Sequence, residues 1–571
     1  MAIGSWVRPG LATVVASLSI AASAQGLSHW PDGGFRDSFD GVSGAITNDN
    51  DAARFLAQAT FGPSPNDIAH LRSVGYAGWL NEQFAAPAST QTHYLDWFLV
   101  TYPDDYLSDD TRLEVWAINS VGTPDPSRGN AVSNDQLRQR IAFALSEIFV
   151  VSNSNGTLAY EPWALSSFYD MLAADAFGNY RTLLEDVSKH PAMGIFLSSI
   201  QNQKADPTQN IHPDENYARE VMQLFSIGLI QRNLDFSPVL DGEGQPIATY
   251  DQSMVQSYAK VFTGWSYTSG FNSNPVGGNW SPADYEPLVC YEIYHDESEK
   301  VLLDNEIAPG GADSCEPDLD AGLAAIEHHA NVAPFVSRQL IERFTSSNPS
   351  PDYIERVASV FVDDGHGVYG NLGAVVVAVL TDPEARYGAA PPPAPYVFGK
   401  AREPLLKLTA LWRYYGAAAA DGLYSLPNPQ KNYAERPLGA PSVFNFYLPD
   451  YLPPGELADA GLFGPEFQIM NESTVVSTAN DLTLRTNNYV GNPTNDDTTV
   501  AIDLAPLVAL ASTPSSLVAA LDHDLMYGGM SDAMASTLTD MIAALPANNP
   551  TGRATGALQV LLASPEFAIQ K

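Results

Sequence analysis

Basic residues are scarce in this chain of 571 residues. It has 28 Lys and Arg against 66 Asp and Glu, which gives a formal net charge of −38 at pH 7. Proteins that bind nucleic acid contact the phosphates through Lys and Arg, so the composition argues against a nucleic-acid partner. The chain is nevertheless 45% hydrophobic, which is enough to form a core and excludes a disordered protein.

The chain also lacks long apolar runs after its first residues, and it lacks the common catalytic motifs. Since ~20 apolar residues are needed to cross a bilayer, we predict that the mature protein has no membrane span. The sequence contains no G-x-S-x-G nucleophile elbow, no H-E-x-x-H and no P-loop. These widespread hydrolase and nucleotide-binding signatures are therefore absent, and an enzyme would need a convergent site.

Residues 1–24 are typical of a secretory signal peptide. Arg8 provides the positive charge, residues 11–22 the short apolar stretch, and Ala22-Ser23-Ala24 the cleavage site. We therefore expect a mature chain that begins at Gln25 and is exported to the periplasm or outside the cell. The alternative is a membrane anchor, but the apolar stretch is shorter than a span requires.

Cysteine is the rarest residue, with Cys290 and Cys315 alone. In an exported protein such a pair is expected to form a disulfide bridge, and the alternative is two free thiols. Two cysteines by themselves do not make a thiolate zinc site, which needs three or four such ligands unless histidine completes it.

Apolar residues at helical spacing predict a mainly α protein: a large multi-helix globular body with long irregular loops and at most a small β-hairpin, near residues 239–247. We expect a flexible lead-in over residues 25–50, an N-terminal helical half over 51–265 and a C-terminal helical half over 321–571. Residues 266–320 are rich in Gly, Pro, Asn, Ser and Asp and contain both cysteines. They are expected to form an irregular insertion between the two halves.

The densest polar cluster lies at the start of a predicted helix. Glu215 precedes Arg219 by one helical turn, which is the favoured order for an ion pair, and Glu220 lies beside the apolar face. Glu220 is expected to be partly buried and to need a cationic partner. The cluster has two interpretations, a capped amphipathic helix with structural ion pairs or a set of acid–base groups, and the first is favoured.

A second cluster consists of His295, Asp296 and Lys300 on a predicted loop. A histidine next to an aspartate is suited to metal binding or base catalysis, and it is equally typical of a turn with a surface histidine.

Further charged residues belong to predicted helices. Arg402 and Glu403 are expected to form an ion pair at the start of the helix that follows them. Glu147 lies in an apolar run behind Arg138 and Arg140. Because an unpaired buried carboxylate is costly, we expect an arginine to pair with it.

Segments along nearly all of residues 51–571 carry a resemblance to a known family. They are residues 54–63, 136–152, 215–225, 262–265, 402–404, 440–444 and 564–567, together with His295, Asp296 and Lys300. The most specific reads Glu-Asn-Tyr-Ala-Arg-Glu-Val-Met-Gln-Leu-Phe over residues 215–225. In this order they resemble the bacterial family named domain of unknown function 1800, and the cysteine-containing stretch around His295 departs from the family's pattern.

The resemblance implies a large, mostly helical exported protein without a settled reaction. Members are often encoded beside a second exported family, domain of unknown function 1501, which resembles sulfatases and alkaline phosphatases. By this association the resemblance implies a partner of that type and a role in processing envelope or extracellular material.

Three functions agree with these observations. The first is a scaffold or partner of an exported sulfatase- or phosphatase-like protein. The second is a metal-assisted hydrolase with a divalent metal, whose acid–base, metal-binding or anion-stabilising groups are drawn from both clusters. The candidate residues of that hydrolase are Glu215, Arg219, Glu220, His295, Asp296 and Lys300. The third is a calcium-dependent surface or glycan-binding module, suggested by acid-rich loops at residues 40–51 and 235–243 that lack the EF-hand spacing.

Overall fold

The computed structural model describes residues 46, 48–122, 134–273, 285–387 and 398–571. The predicted signal peptide over residues 1–24 lies outside the described residues, as does most of the expected lead-in over residues 25–50. The first described helix already begins at Asp49.

The chain up to residue 261 is helical wherever it is regular. Its helices are α1 (Asp49–Ala59), α2 (Pro65–Ala85), α3 (Thr92–Thr101), α4 (Asp109–Val121), α5 (Gln136–Ser146), α6 (Pro162–Asp175), α7 (Tyr180–Lys189), α8 (Pro191–Phe196), α9 (Asn216–Glu220) and α10 (Gln252–Val261). A 3₁₀ turn covers Leu158–Tyr160, and a π-helical segment, Val221–Ser226, continues α9 without a break.

The second part of the chain is also helical. Its helices are α11 (Cys315–His328), α12 (Val332–Phe344), α13 (Pro351–Val362), α14 (Leu372–Thr381), α15 (Pro383–Tyr387), α16 (Pro404–Tyr414), α17 (Pro429–Tyr433), α18 (Glu456–Asp459), α19 (Glu472–Asn487), α20 (Ala505–Leu510), α21 (Pro514–Leu521), α22 (Asp532–Ala544) and α23 (Pro550–Leu562). A second π-helical segment, Asp522–Met526, follows α21, and a 3₁₀ turn covers Pro465–Gln468.

Strands contribute little, which confirms the predicted fold class. In the described part of the chain they form three antiparallel pairs: β1 (Trp265–Ser266) with β2 (Val289–Cys290), β3 (Lys300–Val301) with β4 (Ile307–Ala308), and β5 (Lys400–Ala401) with β6 (Ile569–Gln570). An isolated bridge between Leu240 and Pro246 lies where the sequence predicts a hairpin.

Local chemistry explains where helices begin and bend. Ser64 accepts a hydrogen bond from the Asp67 amide while Asp67 accepts one from the Ser64 amide, and Pro65 occupies the first helical position of α2. Gly75 kinks the same helix because its φ of +73° lies in the left-handed region, which glycine adopts at little cost.

A single apolar core runs through both halves of the chain. The buried apolar residues form one connected cluster from Ala52 to Phe567. Helix α16 packs on α4, and α12 packs on α5, so the interior is built between segments that are distant in sequence. This packing brings charged residues of both halves to the centre of the molecule.

The stretch over residues 266–320 contains the pairs β1–β2 and β3–β4 and two 3₁₀ turns, Glu292–Tyr294 and Leu303–Asn305. Helix α11 begins inside it at Cys315. The predicted disulfide bridge is present between Cys290 and Cys315, whose Cα atoms lie 6.2 Å apart. Among the described residues no helix is long and apolar enough to cross a bilayer.

Candidate functional site

Glu215 and Arg219 form an ion pair that ties α9 to α10. The Arg219 guanidinium donates to Glu215 Oε2 at 3.1 Å, and Gln252 of α10 donates to the same oxygen at 2.7 Å. Arg219 also donates to the Gln252 amide oxygen at 3.2 Å. The three side chains are partly exposed, so they connect two helices at the surface.

Glu220 ends α9 and leads into the π-helical segment. It is 6% exposed, and its Oε2 has no hydrogen-bond partner; the nearby Tyr250 hydroxyl also lacks one. Burial raises the pKa of Glu220, although the charge of Arg219 opposes the shift. Among the described residues, Glu220 forms no ion pair with the expected cationic partner.

His295 and Lys300 converge on a residue that the sequence analysis missed, Asp318. His295 Nε2 lies 3.0 Å and Lys300 Nζ 2.6 Å from Asp318 Oδ2, and all three side chains are at most 1% exposed. Ser314 donates to the same oxygen at 3.0 Å. Burial opposes ionisation of Asp318, but hydrogen bonds from His295 and Lys300 hold its pKa below the ordinary value.

The other contacts of this cluster fix its orientation. His295 Nδ1 lies 2.8 Å from the Thr263 carbonyl oxygen, and Lys300 donates to the carbonyl oxygens of Asp296 and Ser298. The Asp296 carboxylate turns back to the Ser298 amide and hydroxyl instead of facing His295. Asp296 is therefore part of a turn that presents its backbone to Lys300.

The disulfide bridge explains how Asp318 reaches the cluster. His295 follows Cys290 by five residues, and Asp318 lies in the first turn of α11, which begins at Cys315. Joining the cysteines therefore brings these two segments together. The predicted bridge was the signal that could have identified Asp318 from the sequence.

The structure does not join the two predicted clusters. Within the described chain, no hydrogen bond or ion pair links Glu215, Arg219 or Glu220 to His295, Asp296 or Lys300. The first group lies at and just before α9, with Glu215 and Arg219 partly exposed and Glu220 buried, and the second is enclosed between β3 and α11.

A larger charged cluster occupies the core, and it includes the predicted arginine partner of Glu147. Arg343 of α12 lies 3.0 Å from Glu147 Oε2, 196 residues away along the chain. Tyr447 donates to Glu147 Oε1 at 3.4 Å. Arg140 donates to the Arg343 carbonyl oxygen at 2.8 Å, and its guanidinium lies 3.8 Å from Glu403.

Lys400 connects the remaining carboxylates of this core cluster. Its Nζ lies 2.9 Å from Glu403 Oε1 and 3.0 Å from Glu466 Oε1. Glu435 accepts from the Leu405 amide at 3.0 Å and lies beside Glu403. Burial, followed by the charge of Glu403, raises the pKa of Glu435 far above its usual value, whereas Lys400 and Arg140 outweigh burial and hold the pKa of Glu403 below its usual value.

The expected ion pair between Arg402 and Glu403 is wrong. Glu403 pairs with Lys400 and Arg140, while the Arg402 guanidinium stacks over the Phe567 ring at 4.6 Å. Neighbouring residues at the start of a helix point in different directions, so adjacency in sequence did not predict contact. Arg402 is left without an acidic partner among the described residues.

Among the residues that the structure describes, two groups of three side chains have donors close enough to share a metal ion. Cys290, Glu292 and Cys315 form one, but both sulfurs are committed to the disulfide. Glu147, Glu403 and Glu435 form the other, with donor atoms within 4.8 Å of one another. Arg140, Arg343 and Lys400 already supply three positive charges there, so the donor set does not fit an additional divalent cation.

The fold and these clusters define a mainly helical protein with clusters of paired charged groups inside its core. Over residues 54–569 the chain matches the family described as Protein of unknown function (DUF1800), and it belongs to that family. The resemblance noted from the sequence is thereby confirmed. No curated protein and no solved structure matches the chain.

Proposed function

We propose that this protein acts outside the cytoplasm as a partner or scaffold of an exported sulfatase- or phosphatase-like protein of the domain of unknown function 1501 type. The observation that carries the proposal is that the side chains of the predicted His295 cluster bind one another inside the protein. His295, Lys300 and Asp318 are at most 1% exposed, and His295 and Lys300 both contact Asp318 Oδ2. Groups that are buried and paired in this way stabilise a framework.

The disulfide between Cys290 and Cys315 is compatible with an exported protein, because such bridges persist in oxidising compartments. The extracytoplasmic location and the envelope or extracellular substrate of the partner are parts of the proposal that follow from the family.

An exposed apolar segment at the end of α3 supports a protein partner. Leu99, Val100, Tyr102 and Tyr106 are exposed within eight residues of chain, and Val100 and Tyr106 are each 82% exposed. Tyr102 packs on Phe98 with a ring distance of 5.0 Å, which gives the segment a defined aromatic surface. Exposed apolar groups concentrated in this way are typical of interaction sites.

The experiment is co-expression of the mature chain with the domain of unknown function 1501 protein of the same organism, followed by measurement of the mass of the purified complex by light scattering. We expect a stable complex that the double variant Val100→Ser/Tyr106→Ser weakens at least tenfold. Val362→Ser is the matched control, since Val362 is also an exposed apolar residue at the end of a helix, α13.

Hydrolysis of p-nitrophenyl phosphate and p-nitrophenyl sulfate is measured for each protein alone and for the complex. The proposal expects activity from the partner and none from this chain. Absence of a complex, or turnover by this chain alone that Glu220→Gln or His295→Asn abolishes, would contradict it and favour the hydrolase.

A further inference from the structure

A cavity of about 720 Å³ lies between the start of α1, the end of the second π-helical segment and the pair β5–β6. Its volume falls within the roughly 300–1,000 Å³ of small-molecule sites. Apolar side chains, including Phe398, Leu525 and Ile569, form part of the wall, and polar groups form the rest. None of the residues predicted from the two sequence clusters lines this cavity.

Arg402 lines the cavity and is 5% exposed. Its Nη1 has no hydrogen-bond partner, and neither has the buried hydroxyl of Tyr527, whose ring centre lies 5.9 Å from the guanidinium carbon. Every other arginine in the described ranges makes a hydrogen bond or an ion pair with a carboxylate, an amide or a carbonyl oxygen. A buried cation without a counter-charge is costly, which suggests that a missing partner supplies the charge.

The other charged groups of the cavity do not supply that partner. Arg54 and Lys571 add positive charge, and Asp51 and Glu566 add negative charge. Asp51 accepts a hydrogen bond from the Asn48 amide at 3.0 Å. Glu566 accepts from the Ser531 amide at 2.9 Å and from its hydroxyl. Both carboxylates therefore hold their own segments, and neither forms an ion pair with Arg402.

The backbone beside Arg402 is strained. Tyr527 has a φ of +57°, the left-handed region that a bulky side chain rarely adopts, and it directly follows the π-helical segment Asp522–Met526. Both features occur preferentially at functional sites because they cost stability. Here they place the Tyr527 ring and hydroxyl at the wall of the cavity, next to the arginine.

We infer that this cavity binds an organic anion, whose carboxylate, phosphate or sulfate group is held by Arg402 and the Tyr527 hydroxyl while the apolar wall covers its carbon skeleton. A guanidinium presents two parallel N–H donors to such an oxyanion. The enclosed position of Arg402 strengthens the attraction, since water screens it less than it screens an exposed pair. This inference does not depend on the proposed protein partner.

The test is isothermal titration of the full mature chain with glucuronate, glucose 6-phosphate, glucose 6-sulfate, inorganic phosphate and glucose. We expect at least one of the three sugar anions to bind and neutral glucose not to bind. Arg402→Gln should weaken that binding at least tenfold, and Tyr527→Phe about threefold to tenfold. Arg356→Gln, which makes the same change at a half-exposed arginine paired with Asp382, should leave the affinity unchanged.

Several results of the titration would contradict the inference. No sugar anion binding below about 10 mM, or equal binding of glucose, would overturn the inference. An unchanged affinity of Arg402→Gln would also overturn it. If Arg402→Gln does not fold, an unchanged affinity of Tyr527→Phe would overturn it instead. Binding of inorganic phosphate but of no sugar anion would refute the organic ligand. The three anions distinguish carboxylate, phosphate and sulfate as the group that Arg402 selects.

Discussion

Asp318 offers the most direct test of how the interior is held together. Asp318→Asn preserves the size of the side chain but removes the negative charge that faces His295 and Lys300. Lys300 would then be buried with carbonyl and amide oxygens alone. Removing one member of a buried ion pair costs roughly 3–5 kcal/mol, a large share of the ~5–15 kcal/mol that holds an ordinary domain folded.

The assay is urea unfolding at pH 7 of the wild type, Asp318→Asn, Lys300→Met and the double variant. Lys300→Met removes the cation and leaves Asp318 with the hydrogen bonds of His295 and Ser314. In the double variant no lysine is stranded, so its cost should be smaller than the sum of the single costs by about 1–3 kcal/mol. Strictly additive costs, or a cost of Asp318→Asn below about 1 kcal/mol, would refute this account of the cluster.

The pH dependence provides a second check on the same residue. The pKa of Asp318 is lowered in the folded protein, so its stabilising effect is complete above its unfolded pKa of about 4 and is lost as the pH falls below it. The difference in stability between wild type and Asp318→Asn should therefore be constant from pH 7 to about pH 5 and should shrink in stronger acid.

Two further predictions concern buried titratable groups. His190 is the N-cap of α8, and burial lowers its pKa to about 3. Below about pH 6.5 the histidine binds a proton in the unfolded chain but not in the folded protein. The free energy of unfolding of the wild type should therefore fall by roughly 2 kcal/mol relative to that of His190→Asn between pH 7 and pH 5. Urea unfolding at both pH values measures this, and parallel profiles would contradict it. Glu435→Gln should cost less than about 1 kcal/mol because the raised pKa of Glu435 favours its neutral form, which Gln resembles. Glu403→Gln removes a counter-charge of Lys400 and should cost about 3–5 kcal/mol. Equal shifts of the urea midpoint for Glu435→Gln and Glu403→Gln would show that the proton is assigned to the wrong glutamate.

The sequence predicted those structural features that depend on residues close together along the chain. Helical spacing predicted the fold class, and the i,i+4 order of Glu215 and Arg219 agrees with the observed ion pair. The need of Glu147 for an arginine was also predictable from its apolar surroundings. Which arginine it would be was not, because Arg343 lies in another helix of the second half.

The sequence did not predict most contacts between segments that are distant along the chain. Asp318 belongs to a helix that the irregular cysteine-containing stretch separates from His295, and no periodicity connects them. Arg402 and Glu403 were paired by adjacency, yet one is directed to a cavity and the other to the core cluster. The direction of a side chain depends on tertiary packing, which the spacing of residues along the sequence does not encode.

The core cluster and the cavity use different basic residues. Arg140, Arg343 and Lys400 contact carboxylates of the core cluster, whereas Arg402, the neighbour of Glu403 in sequence, lines the cavity. Buried ion pairs recover little net stability after desolvation, and breaking one leaves a buried charge unpaired. We infer that the cluster fixes how α5, α12 and β5 meet. If Arg402 turned inward, it would join a region that already holds three basic side chains, so repulsion between like charges favours its position at the cavity.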